Sequence, residues 1–144
     1  MNAKTILLTG TVATSIMTSF SYLLSGKEKK NYREPELLAS LLEKGWPDLQ
    51  RKQGLPAGWA THYALGIIWA IAHELILEKT PLKPGPPSAL LLGAFGGLTG
   101  IIIWGMLFKS NPQPPKIDYR SFYRQLVLAQ LIFSTTVVIL HKNK

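Results

Sequence analysis

Four apolar runs, residues 5–25, 57–78, 88–108 and 121–141, alternate with polar segments, and each is near the ~20 residues that cross a hydrocarbon core at 1.5 Å per residue. The pattern predicts an all-α integral membrane protein with four transmembrane helices, forming a single membrane domain over residues 1–144. A soluble four-helix bundle would need polar outer faces, yet the third run holds no charged residue between Pro87 and Lys109. The first run is long for the apolar core of a signal peptide and reads as a span. Thr11, Thr14, Thr18 and Ser21 recur along it at helical spacing, which suits either a tight helix interface or a polar pathway.

A fifth, shorter helix is predicted over residues 35–44, between the first two spans. Pro35 sits in its first turn, Glu34 and Glu36 stand near the positive end of its dipole, and Gly45 ends it. Leu37, Leu38, Leu41 and Leu42 form one apolar stripe beside a basic cluster. The expected setting is an interfacial amphipathic helix in the headgroup layer, with docking to another subunit as the rival.

Polar groups within the spans are the candidate chemistry, because an ionisable group in hydrocarbon is costly and needs a reason. In the second span His62, Gly66, Trp69 and His73 fall within about 40° of one another at ~100° per residue, with Glu74 beside them. In the fourth, Tyr123, Gln130, Ser134 and His141 share a face in the same way. These two spans run parallel, which brings His73 and Glu74 toward the membrane side of His141 as a possible proton or divalent-ion site; the alternative is hydrogen-bonded packing. His62 and His73 are eleven residues apart, about 16 Å along the axis, so they cannot share an ion. In the third span Gly93 and Gly97 form one GxxxG, and Gly96 and Gly100 a second, offset one. They mark a packing face either within the bundle or with another copy of the chain.

The net charge of +8 lies in the connections, which changes the picture from nucleic-acid partner to membrane topology. One side carries Lys27, Lys29, Lys30, Arg33, Lys44, Arg51, Lys52, Lys109, Lys116, Arg120 and Arg124; the other carries Lys4, Lys79, Lys83, Lys142 and Lys144. The rule that basic loops stay inside then puts both termini on the non-cytoplasmic side. With no cysteine, and without HExxH, G-x-S-x-G or an acidic cluster, the sequence offers no catalytic residue, metal set or cofactor motif.

From about Thr61 to Leu140 the chain resembles the YagU-type family of small bacterial inner-membrane proteins. The likeness is carried by Thr61 with His62 opening a span, Gly66 followed by small and aromatic residues, Glu78 before a short Pro/Lys turn, and LLLGAFGGL beginning the next span. It departs from that family in lacking an acidic residue in the fourth span and a histidine late in the third. The resemblance implies a bacterial cytoplasmic membrane, an association with acid tolerance, and His62 as a buried polar site. Three functions stay open: a non-catalytic accessory, assembly or membrane-homeostasis protein with lipid, homo-oligomer or larger-complex partners; a proton- or ion-linked transport element; and a lipid-modifying enzyme.

Overall fold

The computed structural model describes residues 2–46, 48–49 and 51–143, so Lys144 of the charge pattern lies outside the described residues. Five helices follow in order: α1 (Ala3–Glu28), α2 (Glu34–Gly45), α3 (Arg51–Lys79), α4 (Pro86–Ser110) and α5 (Tyr119–Lys142). All but α2 are long and apolar enough to cross a membrane. The architecture is therefore the expected one: all-helical, four candidate spans and one short helix between the first two.

Local sequence explains where the helices begin and end. The Asn2 side chain accepts from the Lys4 N–H and opens α1, which closes on Lys29 in the left-handed region at φ 53°. Pro86 and Pro87 supply the first turn of α4, where backbone N–H groups have no intrahelical partner anyway, and the Ser88 hydroxyl accepts from the Gly85 N–H at 2.9 Å. Asp118 caps α5 by accepting from the Ser121 N–H at 3.1 Å. Helix α3 starts six residues ahead of the expected span at 57 and carries Pro56 inside it, giving up one backbone hydrogen bond.

Helix α1 packs against α3 and α5, α5 against α4, and α2 against α3. Small residues set these approaches. A Cβ on Gly10 would lie 2.9 Å from the Ile67 Cα, and one on Gly66 would run into the Thr14 hydroxyl, so α1 and α3 meet backbone to backbone. The glycines of the two GxxxG pairs all face α5: Cβ atoms on Gly93 and Gly97 would lie 2.8 and 3.1 Å from the Cα atoms of Leu131 and Val127. Those on Gly96 and Gly100 would meet Gln130 and Leu126. On the opposite side of α4, Leu90, Leu91, Phe95, Leu98, Ile102 and Met106 are exposed.

Helix α2 lies where expected, but its stripe faces the chain itself. Leu37, Leu38 and Leu41 are buried in one cluster with Trp104 and Phe108 of α4 and Phe122 and Leu126 of α5, while Leu42 is half-buried. Gly58 of α3 lets the α2 backbone close in, since a Cβ there would lie 2.7 Å from the Ala39 N. An apolar stripe can be satisfied by lipid or by protein, and here protein covers it.

Candidate functional site

Side chains from α1, α2, α3 and α5 build a line of buried polar groups between the face carrying the connections α1–α2 and α4–α5 and the face carrying both termini. At the connection end, Glu34 is 2% exposed. Its Oε1 accepts from the Ser21 hydroxyl at 2.9 Å and from Gln125 Nε2 at 3.2 Å, and the same Nε2 donates to Ser21 at 2.6 Å. Burial pushes the Glu34 carboxyl up to about 7, against the lowering effect of these hydrogen bonds. Above this group Lys30 Nζ meets Asp118 at 2.8 Å and the Ser121 hydroxyl at 2.5 Å, strapping the α1–α2 connection to the start of α5. The Lys30 and Ser121 bonds hold the Asp118 carboxyl well below the usual range.

Deeper, the Thr18 hydroxyl donates to the Thr14 carbonyl at 2.6 Å, so the hydrogen shared with His62 Nε2 at 2.8 Å belongs to the imidazole. His73 has the other tautomer. Its Nδ1 donates to the Trp69 carbonyl at 2.8 Å, which leaves Nε2 to accept from the Ser134 hydroxyl at 2.8 Å. At the terminal end Glu74, 0% exposed, holds His141 Nδ1 at 2.8 Å from its Oε2.

The two halves of this line are separated. A cavity of about 70 Å³, room for about two waters, is lined by Glu34, His62 and Gln130 together with Trp69, Trp104 and Phe133. Beyond it Ala13, Met17, Ala70, Ala129, Phe133 and Val137 form an apolar cluster. The Phe133 ring stands edge-on to the His73 ring at 5.5 Å, so one side chain walls the cavity and touches the next polar group. The cavity's outer rim is Leu65 of α3 with Ile103 and Leu107 of α4, all exposed. Helix α4 follows α5 while α3 follows α1 and α2, and the rim opens between them. Glu34 Oε2, Gln130 Oε1 and Thr14 Oγ1 are buried with no hydrogen-bond partner.

Comparisons with family models, curated proteins and solved structures find no match to this chain.

The residues singled out from sequence are thus brought together in three places: His73 with Ser134, Glu74 with His141, and His62 with Gln130 around the cavity. Tyr123 stands apart, half-buried among Tyr119 and Phe122. His73 bonds to Ser134 and does not join the pair beside it, and among the described residues no three His, Asp or Glu side chains gather as a metal set. Sequence reasoning did not single out Glu34 for the site. An acid in a first helical turn is explained by the helix dipole alone. The overlooked signal is that Glu34, Leu37, Leu38 and Leu41 are spaced i, i+3, i+4, i+7 and share the buried face.

Proposed function

We propose that the protein is a small proton-linked transport element of a bacterial cytoplasmic membrane, with both termini on the non-cytoplasmic side. The observation that carries the reading is the line of ionisable groups along the bundle axis, with Glu34, His62, His73 and Glu74 buried and His141 half-buried, around a cavity to which all five helices contribute side chains. Buried titratable groups inside a membrane bundle face its interior and mark proton or ion paths. Eleven basic residues on the connection side against five on the terminal side support the orientation.

A proton taken up by Glu34 would pass to the cavity and its His62. A rotation of Phe133 or Trp69 would then join the cavity to His73, and Glu74 with His141 would release the proton. The accessory reading draws less support, because the glycine face and the leucine stripe that would serve a partner are occupied by α5 and by the bundle's own core. Reconstitution into liposomes loaded with a pH-sensitive dye tests the proposal: a potential should drive proton uptake in the wild type and at least tenfold less in Glu74→Gln. Equal rates in the two would overturn it.

A further inference from the structure

We propose that the groove between the end of α4 and the start of α5 binds an anionic phospholipid, whose phosphate group sits among Lys109, Arg120 and Arg124 and whose chain runs over Gly105. The site lies on the outside of the bundle, apart from the buried polar line, and does not depend on the transport reading.

The glycines of α4 show where the groove comes from. Cβ atoms on Gly93 and Gly97 would meet the α5 backbone, whereas one on Gly105 would find only the Tyr123 hydroxyl within 4 Å, at 3.5 Å. Close backbone packing therefore accounts for the first two glycines and not for Gly105. Beside it is a groove of about 300 Å³, walled by Phe108, Tyr119 and Tyr123 and bordered by Lys109, Asn111 and Pro114. That volume is at the lower end of the ~300–1,000 Å³ of sites that hold small organic molecules. The walls are fixed from within the fold. Phe108 is 3% exposed, its ring stands 5.2 Å from that of Tyr119, and the Tyr119 hydroxyl donates to the Pro115 carbonyl at 2.7 Å. Lys44 Nζ reaches across from α2 to the Gln113 carbonyl at 2.6 Å and pins the connection that borders the groove. A site already shaped loses little freedom on binding.

Charge at the mouth selects the ligand. Residues 109–124 hold four cations, Lys109, Lys116, Arg120 and Arg124, against one acid, Asp118, and that acid is bonded to Lys30 at 2.8 Å. All four cations are exposed, and among the described residues none of them forms an ion pair. Arg120 and Arg124 stand one turn apart on α5, each about 100° round from a tyrosine of the wall, and Lys109 borders the groove from α4. Guanidinium groups grip phosphate through paired N–H donors, and lysine adds a point charge. Both helices reach the ends of their apolar stretches here, which is the level of the headgroups and of interfacial tyrosines. Basic pockets between spans take up anionic headgroups. Toward the middle of the membrane, Ile101 and Val127, one turn from Gly105 and Tyr123, continue the seam as half-buried apolar surface that an acyl chain can follow. A soluble anion would meet the charge and leave the aromatic groove empty; a phospholipid fills both.

The test is native mass spectrometry and thermal unfolding of the full chain in a nonionic detergent, titrated with phosphatidylglycerol, phosphatidylcholine or glycerol 3-phosphate. Saturable binding of phosphatidylglycerol that raises the melting temperature is expected, at least tenfold tighter than binding of phosphatidylcholine, with no displacement by glycerol 3-phosphate. Lys109→Gln, at an exposed position, should weaken it about fivefold, the worth of one cation near a lipid surface. Gly105→Leu fills the groove and should weaken it at least tenfold. Lys27→Gln removes the same charge from the last turn of α1 on the same face and should leave affinity within twofold. Equal affinity for the two lipids, displacement by glycerol 3-phosphate, Lys109→Gln behaving as Lys27→Gln does, or wild-type affinity in a folded Gly105→Leu would each overturn the inference.

Discussion

At Glu34 burial and hydrogen bonding pull the carboxyl in opposite directions, and burial wins, raising it from 4.5 to about 7. Between those values the folded chain keeps a proton that the unfolded chain has lost. Stability therefore falls as pH rises through this window, by about 3 kcal/mol in all, and is flat above it. Glutamine keeps the shape without the charge. Glu34→Gln should melt with the wild type at pH 4 and above it at pH 8 in detergent-solubilised thermal unfolding, with the gap opening across pH 5–7. A second residue-scale prediction concerns Lys29, whose φ of 53° is the sole positive value among described non-glycine residues. Lys29→Gly removes the Cβ penalty at this helix end and should stabilise the fold by roughly 0.5–1 kcal/mol, read from the same melts.

Among the helices, the decisive feature is how closely backbones approach. Gly93 and Gly97 lie flat on α5, so Gly93→Val would wedge α4 away from Leu131 and should cost about 2 kcal/mol or more, seen as a lowered melting temperature. Gly26, near the end of α1, has nothing within 4 Å of an added Cβ, and Gly26→Ala should be neutral or stabilising by up to ~1 kcal/mol. The sequence made the spans, the short helix and both polar stripes legible, because hydropathy and the 3.6-residue period act locally. It also led to Glu74 beside His141, since two parallel spans bring their polar stripes to the same end. What covers the leucine stripe of α2 could not be read, because lipid and protein satisfy leucine equally. The same limit hid Glu34, whose partners Ser21 and Gln125 are 13 and 91 residues away in sequence.

Across the whole molecule, polar groups reach from the Lys30–Asp118 strap at one end to the Glu74–His141 pair at the other, interrupted by the apolar cluster around Phe133. If the protein carries protons as proposed, that interruption would separate a gated path from an open leak. Phe133→Ala should cost about 3–5 kcal/mol of stability, yet raise passive proton flux by uniting the cavity with His73. Proton transport as proposed requires charge to move along this line by way of Glu34, the buried acid outside the spans. The direct measurement is potential-driven proton flux through wild-type and Glu34→Gln protein, reconstituted at equal density in the same liposomes. The account predicts flux in the wild type and at least a tenfold loss in the variant while its fold is retained; equal flux in both, or none above protein-free liposomes in either, would contradict it.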